Sequence, residues 1–377
     1  MARSITPNQI RRNNRNLIYL YTLKHPGVSQ QDISYELRLS RPTVTANLTE
    51  LEETGMIIPS GQIDTELVGR KATAYSAVAD YRVSIAADIH SSVVKLIAVN
   101  LKGENIKRVV HSLPYKNSAE YQLFVCSLIK EFISSLSYPP SRILGVGIAM
   151  PGLVSPDGTS ITYGKILDCT GLTIDLFKRE LPYPCRFYHD SESAATSELW
   201  ASPQLIDALY LQIGIHVGAA MIKDKKIVIG KHGHNATIEH ITIEENGKPC
   251  YCGHRGCVDT IISLEALTAD TPVETFFERV RLGEKAEKKR FDSYLRDLAK
   301  VISRLHLFYD KDFIIGGEIA SYLEEQDITK LNALALALSP FHDAVPYIFL
   351  SKMPKHNVTI GAALPYIQEF LTQEEII

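Results

Sequence analysis

The chain has 377 residues, 45% hydrophobic and 22% charged, which excludes wholesale disorder and suggests two or three domains. Forty basic residues against 43 acids leave a net charge of −3, which excludes a globally basic nucleic-acid binder but not a local basic module. No apolar run approaches the roughly 18 residues of a membrane helix, and the opening MARSITPNQIRRNN lacks the apolar stretch of a signal peptide, so a cytoplasmic protein without membrane contact is expected.

The first fifty residues hold seven Lys/Arg and three acids, a local basic excess. Three amphipathic helical patterns follow one another there. The first runs from about Pro7 to His25, with Ile10, Leu17, Ile18, Tyr21 and Leu23 as its apolar positions, and Pro26-Gly27 stops it. Ser29 is placed to cap a second helix with Ile33 and Leu37 on its apolar face. Ser40 is placed to cap a third that carries Val44, Leu48 and Leu51, with Pro42 in the first turn where its missing N–H costs nothing. Gly55 ends it, and GMIIPSG and KATAYSAVA then alternate as two short strands do. Helix, turn, helix and a strand pair are the parts of a winged helix-turn-helix. Its third helix would lie in the major groove with Ser40, Arg41, Thr43, Thr45 and Asn47 at its reading end. Arg bonds guanine bidentately, Asn does the same to adenine, and the Thr methyl touches thymine. Arg11, Arg12 and Arg15 would serve phosphates. The bland alternative is a small helical bundle used for protein contact.

From about Tyr81 the pattern changes to strands and helices in alternation. VSIAADI and VVKLIAVN read as strands joined by His90-Ser91-Ser92, a helix follows over about 118–136, and ILGVGIAMP reads as a buried strand. PCRFYHD, ALYLQIGIHVGAAMI and FIIGGEI supply further strands, and the chain from about Ile360 reads as helix. Apolar strands alternating with helices argue for covered sheets of α/β type.

Cysteine usage is uneven. Cys126, Cys169 and Cys185 are scattered, whereas Cys250, Cys252 and Cys257 fall within CYCGHRGC. Three thiolates and an imidazole make a closed tetrahedral zinc set, and a closed set is structural. His240 is the first choice for the fourth ligand, with His232, His234 and His254 as alternatives. MPGLVSPDG, FYHDSESAA, LQIGIHVGAA and IIGGEI place glycines or acids at strand ends, where α/β sheets commonly bind ligands. Asp190 could accept a proton from a hydroxyl there, or it could simply cap a helix.

CYCGHRGC with His240 upstream, GVGIAMPGLVSPDG, HDSESAA, IIGGEI and IGAAL together resemble the ROK family, whose name joins repressor, open reading frame and kinase. The likeness covers nearly the whole chain. The N-terminal unit followed by GRKATAYS looks like the family's repressor branch, which includes xylose-operon and N-acetylglucosamine repressors. The resemblance implies an actin-like sugar-kinase fold of two α/β lobes behind a winged helix-turn-helix. The expected division is 1–80 for DNA binding, 81–196 for the first lobe, completed by a helix over 360–377, and 197–359 for the second lobe with the zinc site. It also implies a sugar cleft contacted by Gly152, His189, Asp190, Glu239, His240 and Asp259. Asp190 would be the catalytic base only if the chain were a kinase.

Departures from the family pattern bear on that last point. The first phosphate turn, glycine-glycine-threonine in the kinases, reads His90-Ser91-Ser92 here. The second carries His216 where a glycine is usual, so ATP is not expected to bind. His189 replaces an asparagine, Thr237 a glutamate, Glu239 a glycine and Asp259 a glutamate. The expectation is a sugar-responsive regulator of carbohydrate genes, non-catalytic, working on duplex operator DNA as a homodimer or homotetramer. The competing readings are an active sugar kinase with an added DNA-binding domain, and a regulator with a vestigial cleft controlled by a protein partner.

Overall fold

The computed structural model describes residues 7–63, 71–341, 345–353 and 355–372. Gly69 and Arg70 of the GRKATAYS stretch, and residues 373–377 of the expected C-terminal helix, lie outside the described residues.

The N-terminal unit comprises α1 (Pro7–Lys24), β1 (Val28–Ser29), α2 (Gln30–Glu36), α3 (Arg41–Glu53), β2 (Ile57–Ile63) and β3 (Ala72–Ala77). Both expected caps form. The Ser29 hydroxyl accepts from the Asp32 amide while the Asp32 carboxylate accepts from the Ser29 amide, and the Ser40 hydroxyl accepts from the Thr43 amide. Ile18, Tyr19, Ile33, Val44, Leu48, Leu51 and Met56 form its core. Ile10 and Leu17 do not belong to that core: both are exposed, and Tyr19 fills the place. Arg15 departs from the phosphate-contact reading. It is buried and ion-paired with Glu50 of α3, so its charge joins two helices. β1 adds a third strand to the expected pair, in the order β1-β3-β2.

The first lobe follows a 3-10 turn at Ala79–Tyr81. It contains β4 (Val83–Ile89), β5 (Val93–Asn100), β6 (Asn105–Ser112), α4 (Ala119–Ser134), β7 (Ile143–Met150), β8 (Leu153–Val154), β9 (Ile161–Tyr163), α5 (Asp175–Glu180), β10 (Cys185–His189) and α6 (Asp190–Ala201). Its main sheet has the order β10-β7-β4-β5-β6. β4 is buried along its whole length because both faces of the sheet are covered, one by α4 and α5. The expected boundary at 196 falls inside α6.

The second lobe contains β11 (Ala208–Ile213), β12 (Val217–Lys223), β13 (Lys226–Ile227), α7 (Asp259–Ile262), α8 (Leu264–Thr268), α9 (Val273–Leu282), α10 (Lys285–His306), β14 (Asp312–Gly316), α11 (Glu325–Leu338) and β15 (Ile348–Leu350). The sheet order is β13-β12-β11-β14-β15. α10 is strongly amphipathic and buries Phe291, Leu295, Leu298 and Ile302 against α9 and α11.

The last helix, α12 (Asn357–Thr372), returns to the first lobe and covers the other face of its sheet. Small residues let it lie close. A Cβ on Gly147 would come within 2.0 Å of the Ala362 carbonyl oxygen, and one on Gly361 within 1.7 Å of that of Ser193 in α6. Gly147 of GVGIAMPG and Gly361 of IGAAL are therefore packing residues. The core of the N-terminal unit is continuous with this region. Tyr19 donates to the Val78 carbonyl, the Leu101 amide donates to Ala79, and Arg82 stacks on Tyr81 and on Phe370 of α12.

Candidate functional site

Between the lobes lies a cleft of about 550 Å³. Its walls are strand ends and the loops after them. β4 brings Asp88 and the His90-Ser91 turn, β5 brings Lys95, and the loop after β7 brings Pro151-Gly152-Leu153. Tyr163, His189, Asp190, Glu239, His240 and Tyr251 complete one end. Gly214–Gly218, with His216 beside Tyr251, and Gly317, Glu318 and His356–Thr359 complete the lining.

Asp190 opens α6 and faces the cleft. The positive end of the helix dipole favours its carboxylate there. The capping position belongs to His189, which makes no side-chain cap. Instead its Nε2 lies 3.2 Å from Asp190 Oδ1, which also accepts from the Ser191 amide at 2.7 Å. Glu239 is 5% exposed, and its Oε2 has no hydrogen-bond partner among the described residues. Burial, aided by the charges of Asp190 and Asp259, pushes its carboxyl up to about 8. An unpaired buried oxygen in a cleft is a place for a ligand hydroxyl, since leaving it unpaired costs about 1–3 kcal/mol.

Asp259 corrects the sequence reading. It does not line the cleft but sits behind His216, accepting from the Val217 amide at 2.8 Å and facing His216 Nδ1 at 3.3 Å. That pairing, outweighing burial, raises the imidazole above its ordinary value. His216 itself lines the cleft where the family pattern has glycine. Tyr163 and Tyr251, not foreseen, form an aromatic wall: the Tyr251 ring lies 5.0 Å from His216 and 5.1 Å from His240. Tyr251 was legible as the one aromatic residue between the ligating cysteines.

At the opposite end Asp88 is buried, with His90 Nε2 at 2.8 Å, Lys95 Nζ at 3.4 Å and the Thr359 hydroxyl at 3.3 Å. Burial opposes ionisation, but His90 and Lys95 outweigh it and hold the carboxyl below its ordinary value. Lys95 was missed. Its signal was a lone charge inside the otherwise apolar strand VVKLIAVN.

Next to the cleft, His240 and the three clustered cysteines bring one ligand atom each to within 4.8 Å of one another. Cys250 Sγ is 3.8 Å from His240 Nδ1, and Cys252 Sγ is 3.7 Å from Cys257 Sγ. Zinc–sulfur bonds of about 2.3 Å give a tetrahedral edge of about 3.8 Å, so the set fits a structural zinc ion. It holds His240, rather than His232, His234 or His254, and ties Glu239 to the loop leading into Asp259.

On the N-terminal unit, Ser40, Arg41 and Thr45 are exposed at the start of α3, and Thr43 is half-buried. Asn47 is not a surface donor. It is 2% exposed, and its amide donates to the Thr43 carbonyl at 2.7 Å. Ala46 and Thr49 are exposed in its place. Gln30 of α2 donates to the Arg41 carbonyl at 3.1 Å and to the Thr45 hydroxyl, bracing the reading end.

The sequence model of the ROK family matches residues 84–368, and a winged helix-turn-helix DNA-binding model matches residues 11–58. The chain belongs to the ROK family. It is 23% identical to the DNA-binding transcriptional dual regulator NagC of Escherichia coli (strain K12), over 94% of this chain and 92% of that protein. Its fold superposes on a ROK family transcriptional regulator described as a homologue of the E. coli MLC protein, with a TM-score of 0.74, 19% identity and coverage of 96% and 97%. A ROK family glucokinase from Streptomyces griseus, in complex with glucose and AMPPNP, superposes with a TM-score of 0.66 and 19% identity over 76% of this chain and 99% of that one. The ROK lobes are therefore those of the sugar-kinase fold, with the winged helix-turn-helix in front. Among the described residues no helix is long and apolar enough to cross a membrane.

Proposed function

We propose that this ROK chain is a sugar-responsive transcription regulator, a repressor of carbohydrate-utilisation genes, that does not phosphorylate its ligand. It works in the cytoplasm on operator DNA, as a homodimer or homotetramer, because a two-fold operator needs two reading heads. One observation carries the reading. A single chain joins an exposed α3 reading end to a ROK cleft whose phosphate turns are filled by side chains, with His90 on Asp88 and His216 on Asp259. Phosphoryl transfer rests on positioning and stabilising the phosphates, which these side chains obstruct. Asp190, His189, Glu239 and Gly152 are the ligand contacts, with His240 shared between cleft and zinc. Ligand binding can move the DNA-binding unit only through its differential affinity for the two lobe arrangements. The relatives named as regulators support the DNA-binding half of the reading. Asp190 facing the cleft, with a glucokinase among the similar folds, favours the kinase reading instead.

Selection from random duplexes with the full-length chain, repeated with added sugars, tests the proposal. The expected result is an enriched, roughly palindromic site that one sugar class releases. Recovery of no enriched site would count against DNA recognition, and sugar-dependent ATP consumption would count against the non-catalytic assignment.

A further inference from the structure

The outward face of α3 carries Arg41, Pro42, Thr45, Ala46 and Thr49. Its hydroxyls are already spent on the protein. The Thr45 hydroxyl donates to the Arg41 carbonyl at 2.9 Å and accepts from the Gln30 amide. The Thr49 hydroxyl donates to the Thr45 carbonyl at 3.0 Å. The Ser40 and Thr43 hydroxyls bond each other at 2.8 Å, and Asn47 is turned inward onto the Thr43 carbonyl. An exposed threonine whose oxygen is held by its own helix shows its methyl to the outside. With the Pro42 ring and the Ala46 methyl, Thr45 and Thr49 therefore form an apolar strip. From Pro42 to Thr49 it runs about 10 Å along the axis, about three base-pair steps. Arg41 is the only basic side chain of α3, exposed and without an ion pair among the described residues. Glu50 is engaged with Arg11 and Arg15, but Glu52 and Glu53 are exposed at the far end, where they repel phosphates. That leaves the first two turns of α3 as the part that enters a groove.

We propose that α3 reads thymine methyl groups. Each half-site would hold one guanine, bonded by Arg41, beside two or more A·T pairs whose C5-methyls pack on Thr45, Ala46 and Thr49. The inference rests on the reading of α3 as a major-groove helix and adds which bases it selects. The thymine methyl is the one apolar group that a base pair displays in the major groove. A strip of methyls meets it without loss. The same strip laid on the cytosine amino group buries a donor with no partner, which costs affinity. A hydroxyl held by the helix cannot turn to supply that partner. A preference for A·T pairs could also come from groove shape, which depends on the whole base-pair step rather than on a methyl. Uracil separates the two, because it keeps the pairing and the minor-groove edge of thymine and lacks only the methyl.

Selection from random duplexes with the full-length chain supplies the site, and titrations on that duplex test the inference. The selected half-sites should hold a guanine next to two or more A·T pairs. Replacing single thymines by uracil should weaken binding about fourfold at two or more positions, the worth of one buried CH₂ group. Thr45→Ser and Thr49→Ser keep the hydroxyl and delete only the methyl. Each should weaken binding to the thymine duplex about fourfold and erase the uracil penalty at one position. Thr49→Val keeps the methyl and loses the hydroxyl, and it should keep the penalty. Thermal unfolding checks that all three variants fold. A selected site indifferent to uracil at every thymine overturns the inference and leaves DNA recognition standing. Uracil penalties that both serine variants leave intact, or a penalty lost in Thr49→Val, do the same. Recovery of no enriched site overturns the DNA-recognition reading and this inference with it.

Discussion

Asn47 and Thr45 lie two residues apart on α3 and face opposite ways. Thr45 is exposed and braced by Gln30, while Asn47 is turned into the core and bonded to Thr43. A substitution series separates them. Arg41→Ala should weaken operator binding by about 1–3 kcal/mol and relax preference at one base position. Asn47→Ala should lower the unfolding midpoint and leave the base preference unchanged, as read by duplex selection with each variant. His90 offers a test by pH. Burial depresses its imidazole, but Asp88 at 2.8 Å outweighs that and lifts it above the ordinary 6.5. Stabilisation from the pair is then complete below pH 6.5 and lost as pH rises through the lifted value. The unfolding midpoint of the wild type should fall over that window relative to pH 6, and that of His90→Gln should fall less.

At the scale of elements, the crossing of α6 and α12 is the contact that sets lobe geometry. α6 starts at Asp190 in the cleft, and α12 starts at Asn357 beside it. The Ser197 hydroxyl donates to the Asn357 carbonyl at 2.6 Å, and Gly361 sits against Ser193. Gly361→Ala has no room for its methyl. It should destabilise the protein by about 1–3 kcal/mol through forced separation of the helices, measured by denaturant unfolding, and should weaken ligand binding as Asp190 moves. A helix from about Ile360 and a helix start at Asp190 were legible in the sequence. Their crossing was not, because IGAAL reads as an apolar helix start whatever it packs on. The hairpin of β8 and β9, which forms the lip of the cleft, was also missed. Its two-residue strand is too short for alternation to register, and the turn is held by Asp157 accepting from Ser155 and Thr159.

Across the whole molecule, the zinc set and the cleft share His240, and Glu239 is its neighbour in sequence. Metal content should be one zinc per chain. Stripping it with a chelator should lower the unfolding midpoint and reduce sugar affinity together, because Glu239 and the loop into Asp259 lose their common anchor. Metal analysis of Cys252→Ala checks the ligand assignment; full zinc retention there would overturn it. At the far side of the first lobe, Tyr19, Leu101 and Phe370 belong to one apolar core that runs from the DNA-binding unit into α12, and the Tyr19 hydroxyl donates to the Val78 carbonyl. Since α12 also contributes Val358 and Thr359 to the cleft, a single helix touches both the ligand cavity and the domain junction.

Both N-terminal helix caps, the set of His240 with Cys250, Cys252 and Cys257, and the side chains at the two phosphate-turn positions were legible in the sequence itself, as was much of the alternation of strands and helices. Each depends on neighbours within a few residues: a hydroxyl three positions before an amide, cysteines one turn apart, a histidine where a glycine turn would be. What only the tertiary structure decided are the contacts between distant segments. Those include Arg15 buried on Glu50, Asn47 turned inward, Asp259 set behind His216, and Lys95 joined to Asp88 and His90 at one end of the cleft. Local pattern fixes which residues share a face of a helix or strand. It does not say what that face meets, and burial, pairing and the sign of the potential in a cavity are set by what is met.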